Sequence, residues 1–163
     1  DGPTEQFVAS MVYNGKYAFV TGGFPERHIL AIRPEGRGNI TKTHIAWRVK
    51  KGASYVPSPV VLGPYFVIVA DNGIASCLKA EDGTRLWMER LGGGHSASAI
   101  TANGLAYFVS DRGITTVLRP GAEFEVVAKN DLKELVSGSP AVSQGQLFIR
   151  GHKYLYCIGK KTN

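Results

Sequence analysis

The stretch Ser98–Ala128, SAITANGLAYFVSDRGITTVLRPGAEFEVVA, reads as four short strands separated by three turns. Ser98-Ala99-Ile100-Thr101 is the first strand. Asn103-Gly104 ends it, because both residues accept the left-handed backbone that a two-residue hairpin demands. Leu105 to Ser110 is the second strand, and Asp111-Arg112-Gly113 turns the chain into a third, Ile114 to Leu118. Pro120-Gly121 turns it once more, into Phe124 to Ala128. Tyr107-Phe108-Val109 is apolar without alternation, and so is Phe66-Val67-Ile68-Val69-Ala70. Strands of that kind are covered on both faces.

The pattern recurs along the chain. Trp47 and Trp87 are 40 residues apart, and a further 40 lands on the apolar Val127. Cys77, Val117 and Cys157 keep the same step, and Ser58-Pro59, Ser98-Ala99 and Ser139-Pro140 recur at 40 and 41. The second unit turns at Gly63-Pro64, Asn72-Gly73 and Asp82-Gly83. The fourth turns at Gln144-Gly145, runs through Leu147–Arg150 and Tyr154–Ile158, and stops one strand short. The first opens at Ala9-Ser10-Met11-Val12, turns at Asn14-Gly15 and runs through Tyr17 to Thr21. It is longer than the others, the excess falling in the polar loop Glu35-Gly36-Arg37-Gly38-Asn39. A period near forty with up to four strands per unit is that of a β-propeller blade. The expectation is an all-β chain: one propeller domain over 1–163, with four-stranded antiparallel blades near 9–53, 54–93, 94–134 and 135–159.

With 163 residues, 44% hydrophobic and 20% charged, the chain is long enough for one domain with a true core. No apolar run is long enough to span a bilayer. Asp1-Gly2-Pro3-Thr4-Glu5 has neither the basic nor the apolar region of a secretory signal. The missing initiator Met suggests a mature product or an excised piece. The net charge of +6 gathers at Arg48, Lys50 and Lys51 and at Lys160 and Lys161. Such patches suit an anionic partner, nucleic acid or envelope polymer. Solvated loops are the favoured explanation, and since no basic helix or basic aromatic strand is present, no nucleic-acid partner is expected. Cys77 and Cys157, two repeats apart, are expected to be buried, apolar and unbridged.

With the units aligned, Leu78-Lys79-Ala80-Glu81-Asp82-Gly83-Thr84-Arg85-Leu86-Trp87 joins an acidic turn to an outer strand bearing Trp. Together with Ser58-Pro59-Val60-Val61 and Leu155-Tyr156-Cys157-Ile158, it resembles the pyrroloquinoline-quinone-binding-like (quinoprotein-like) β-propeller repeat proteins. The resemblance runs from Ala9 to Gly159. It implies that Trp47 and Trp87 pack on the turn of a neighbouring blade, and that blade three, with Val127, is held less firmly. It also implies rings of seven or eight blades, of which four would be half. Three completions follow: a two-fold dimer, a closed four-bladed ring, or a partner chain, with Glu5 to Val8 available as the strand that the last blade lacks. Similar propellers act as scaffolds in the bacterial envelope, which implies a periplasmic or otherwise extracytoplasmic protein-binding module.

Chemistry is sparse in this sequence. Quinoprotein dehydrogenases hold their quinone with calcium, carboxylates and a disulfide between adjacent cysteines. This chain has no adjacent pair and no Asp, Asn and Glu cluster of calcium type. It has no Gly-x-Ser-x-Gly elbow, His-Glu-x-x-His or Cys-x-x-Cys, and His28, His44, His95 and His152 lack metal-ligand spacing. Gly36-Arg37-Gly38 is not a phosphate loop, since no third glycine and no helix follow it. No catalytic residue, metal or cofactor, pyrroloquinoline quinone included, is therefore expected. His95 follows Gly92-Gly93-Gly94 and precedes Ser98 by three, as Tyr55 precedes Ser58. Tyr55, Ser58, His95, Ser98 and Ser139 are thus expected at the mouth of a channel, either binding a small polar ligand or peptide end or letting inner strands crowd the axis. The leading function is a non-catalytic scaffold that binds protein. The alternatives are part of a quinone-dependent oxidoreductase, or a sugar binder using Tyr55.

Overall fold

The computed structural model describes residues 6–159. Sheet one comprises β1 (Val12–Tyr13), β2 (Ala18–Gly22), β3 (His28–Ile32) and β4 (Ile45–Val49). Sheet two has β5 (Val60–Leu62), β6 (Tyr65–Val69), β7 (Ile74–Lys79) and β8 (Arg85–Arg90). Sheet three has β9 (Ile100–Ala102), β10 (Leu105–Val109), β11 (Ile114–Arg119) and β12 (Glu125–Asp131). Sheet four has β13 (Ala141–Ser143), β14 (Gln146–Arg150) and β15 (Leu155–Ile158). Each sheet is an antiparallel meander in chain order, which makes this an all-β propeller of about four blades. The β9–β10 hairpin turns at Asn103 and Gly104 with φ of 49° and 75°, the left-handed values that selected this pair of residues.

The blades stack face to face. Phe19, Ile29 and Trp47 of blade one meet Phe66, Ile68 and Leu78 of blade two in the first buried cluster. Val67, Cys77 and Trp87 of blade two meet Ala106, Phe108 and Leu118 of blade three in the second. Residues on one strand alternate between the two clusters, so a central strand such as β6 is apolar throughout. Cys77 is a buried member of the second cluster, and burial pushes its thiol pKa up to about 12.

Each indole crosses a junction. The Trp47 Nε1–H donates to the Ala80 carbonyl at 3.0 Å, and the Trp87 Nε1–H donates to the Gly121 carbonyl at 3.1 Å. Trp47 lies against Gly83, where a Cβ would meet the ring at 2.7 Å and φ is +73°, so this turn needs glycine twice over. Phe124 meets the Trp87 ring edge-on at 5.1 Å.

Blade three departs from the expected register. Trp47 pairs with Ala31 and Trp87 with Cys77, but the residue paired with Val117 is Ala128. Val127 falls in the bulge, where Ala46 and Leu86 fall in blades one and two. The reason is a β11–β12 hairpin one residue longer than its counterpart: Leu118 pairs with Val126, whereas Leu78 pairs with Arg85. No indole crosses the third junction. Its buried cluster comprises Ala97, Val109, Val136 and Ile149, and grooves of about 480 and 200 Å³ run beside Tyr107, Leu147 and Ile158.

No buried cluster among the described residues joins blade four to blade one, so the four sheets form an open arc. This corrects the expectation for Cys157, which is exposed because no described residue covers the far face of blade four. Glu5 lies outside the described residues. Gln6 accepts the Gly23 N–H at 3.1 Å and Phe7 packs on Gly22, so these two stand against blade one rather than beside β15.

Truncating Trp87 to Ala is expected to cost about 3–5 kcal/mol, read as an earlier urea midpoint. In native-state hydrogen exchange the amides of β13–β15 should exchange before those of β6 and β7. An unchanged midpoint would refute the packing role assigned to the indole.

Candidate functional site

The first strands of neighbouring blades stand side by side, β1 with β5 and β5 with β9. A row of serines precedes them. The Ser10 N–H donates to Ser58 Oγ at 2.8 Å, the Ser58 N–H to Ser98 Oγ at 3.0 Å, and the Ser98 N–H to Ser139 Oγ at 2.9 Å. One hydrogen bond thus steps from blade to blade across the whole arc. The hydroxyl is small enough for strands to crowd, and it supplies an acceptor to an amide that has left its own sheet. Each hydroxyl keeps its own hydrogen to offer to a ligand.

Tyr55 and His95 stand on the linkers that lead into β5 and β9, and Asp71 ties those linkers together. Its carboxylate accepts the Tyr55 N–H at 2.9 Å and the Val56 N–H at 3.0 Å, while its carbonyl accepts the His95 N–H at 3.0 Å. Arg27 Nη1 completes the group at 2.8 Å from Asp71 Oδ2. Forty residues on, Asp111 repeats the device by accepting the Ser96 N–H at 2.8 Å. The next step falls on Gly151, and Glu134 works in reverse from the linker. It accepts the Lys153 and Tyr154 N–H groups and the Tyr156 hydroxyl, which together hold its pKa below the usual carboxylate range. Asp71, Asp111 and Glu134 escaped the sequence reading. The 40-residue step of the two aspartates was the available signal.

Around Tyr55 lies an aromatic patch. The exposed Phe24 ring is 6.4 Å from the Tyr55 ring, the Arg27 guanidinium stands 5.8 Å from its centroid, and its hydroxyl donates to Gln6 Oε1 at 3.0 Å. Phe7, also exposed, is on the same side against Gly22. Phe24 and Arg27 carried no repeat signal, since they sit in a turn peculiar to blade one.

His95 is elsewhere. It is 2% exposed and lines a cavity of about 300 Å³ between blades two and three, with Leu91, Gly93, Ser110, Arg112 and Thr116. Neither ring nitrogen has a hydrogen-bond partner among the described residues. Burial pushes its pKa below 6.5, outweighing the Asp111 carboxylate and the Gly93 backbone, which pull the other way. Of the five residues singled out in the sequence, the structure links Ser58, Ser98 and Ser139 directly. Tyr55 and His95 join one another only through Asp71.

Solved structures share this architecture. BamB from Moraxella catarrhalis is similar at a TM-score of 0.70 and 9% identity, over 90% of this chain and 41% of that one. The computationally designed Ika4 protein is similar at 0.72 and 10% identity, over 95% and 93% of the two chains. A europium-containing methanol dehydrogenase is similar at 0.59 and 13% identity, over 80% and 25%. The chain therefore spans less than half the length of BamB and nearly all of Ika4. At such identities the likeness is one of fold, and the fold is a β-propeller. No protein-family model and no curated protein matches the sequence.

A group whose pKa is depressed by folding takes up its proton more readily in the unfolded chain. The neutral His95 should thus leave stability at its full value above pH 6.5, and stability should fall as pH drops below that point until the folded pKa is passed. Urea melts at pH 7.5 and pH 5 should show this loss, and His95→Gln should reduce it. An equal loss in the variant would remove His95 as its cause. Separately, Ser98→Ala strands the Ser58 N–H and is expected to cost about 1 kcal/mol in the same melts.

Proposed function

We propose that this chain is a non-catalytic propeller module that binds protein, in an extracytoplasmic setting, through the patch around Tyr55. The exposed pairing of Phe24 with Tyr55, beside Arg27, carries this reading. Aromatic and Arg side chains dominate protein-binding hot spots, since they bury large area on few rotatable bonds. Here the platform is already braced, by Asp71 under both Arg27 and the Tyr55 N–H and by Gln6 at the Tyr55 hydroxyl. Fold alone does not confer function; the likeness to BamB supports a propeller module, and the extracytoplasmic setting rests on the family resemblance of the repeats. No helix among the described residues is long and apolar enough to cross a membrane.

A quinone cofactor fits these residues poorly. The Asp71 and Asp111 carboxylates are engaged by linker amides. Cys77 and Cys157 lie in different blades, one buried and one exposed. The aromatic platform also suits the face of a sugar ring, which makes an envelope glycan the second reading.

Peptides selected from a random displayed library should bind the chain and lose at least about tenfold in affinity, some 1.4 kcal/mol, in Tyr55→Ala and Phe24→Ala. Selected peptides that bind both variants undiminished would overturn the assignment. Tyr55-dependent binding of oligosaccharides without peptide binding would establish the second reading instead.

A further inference from the structure

The serine row has two unlike ends. At the first, Ser10 Oγ accepts nothing among the described residues, although Oγ of Ser58, Ser98 and Ser139 each accepts an amide from the blade before. At the last, the Ser139 N–H donates to no described residue, although the amides of Ser10, Ser58 and Ser98 each donate to the blade after. One end lacks a donor and the other lacks an acceptor, and each is what the other supplies.

The sheet faces at the two ends match in the same way. Ala141, Phe148 and Cys157 pair directly across β13, β14 and β15, so they share one face of blade four. The corresponding trio in blade two, Val60, Val67 and Cys77, is buried against blade three. In blade four that surface is open: Cys157 is exposed, and Leu155 beside it is 67% exposed. On blade one the face turned away from blade two carries Tyr13, Ala18 and Ile32, paired in register, with Tyr13 61% exposed. Monomers rarely leave such surfaces wet at both ends.

We propose that a second copy of this chain closes the arc head to tail, its blade one packing on blade four of the first copy and its own blade four receiving blade one in return. Each of the two junctions gains one Ser139 N–H to Ser10 Oγ hydrogen bond, so the serine row becomes continuous around the ring. Two copies form the smallest assembly with no end left open, and the two-fold axis makes both junctions identical. This surface is distinct from the Tyr55 patch, so either proposal can fail without the other.

The test uses the whole chain with Cys157→Ala. An amide within hydrogen-bond reach of a serine hydroxyl places the two residues within disulfide range of each other, about 4.4–6.8 Å between Cα atoms. Chains bearing Ser10→Cys alone and chains bearing Ser139→Cys alone should form a covalent pair when mixed and oxidised, and neither should do so by itself. Light scattering of the unaltered chain should give the mass of two chains, reduced to one by Leu155→Asp with the strand signal in circular dichroism retained. A single-chain mass at every concentration would overturn the proposal. So would self-linking of either single variant as readily as the mixture, or a mass that grows beyond two chains, as an unclosed head-to-tail filament would show.

Discussion

Every blade here is apolar on both faces, so no blade can hold its fold without a neighbour. A lone antiparallel sheet in a two-layer protein needs one covered face, and alternation leaves the other polar. β6 and β7 offer no such polar face, since Phe66, Ile68 and Leu78 point to blade one while Val67, Val69 and Cys77 point to blade three. Each buried side chain of this size is worth about 1.5–3 kcal/mol, and the junctions are where that energy is realised. The rest of the molecule serves to bring sheets face to face without stranding backbone groups.

Stacking creates a polar problem at each linker. The chain leaves one sheet at its outer strand and must cross to the inner strand of the next, with amides that have no ladder to join. Serine hydroxyls take one amide at each of the first two crossings, and Asp71 and Asp111 take those of Tyr55, Val56 and Ser96. At the last crossing the acceptor comes from the other side: Glu134 reaches from the linker to the amides of Lys153 and Tyr154. A Cβ on Gly151 would collide with that carboxylate, so the glycine and the glutamate belong together. The accounting rule for buried backbone groups is satisfied by two different solutions in one chain.

The period and the turns were legible because they are local. Asn103-Gly104 fixes a hairpin whatever surrounds it, and the Trp47–Trp87 step reports a repeat without reference to partners. What was misread depended on something distant. Val127 stood at the Trp position by count, but a hairpin one residue longer moved Ala128 into that place. Cys157 shares a position with the buried Cys77, yet Cys77 is buried by the blade that follows it, and no described residue does the same for Cys157. The serines gave their spacing but not their role, since each hydroxyl acts on the amide of another blade. His95 was expected at the mouth of a channel, and it lies buried in a cavity lined by Leu91, Ser110 and Thr116.

The arc is also graded along its length. The first two junctions each have an indole locked to the next turn, whereas the third has a smaller core and open grooves. Among the described residues, blade four has three strands and a bare apolar face. The end that is least held thus still has apolar surface to bury. Any partner that covers it stabilises the folded arc by mass action, because it binds that state and not the unfolded chain. Packing at the third junction and occupation of the far face are therefore coupled through blade four, which among the described residues is held by blade three alone.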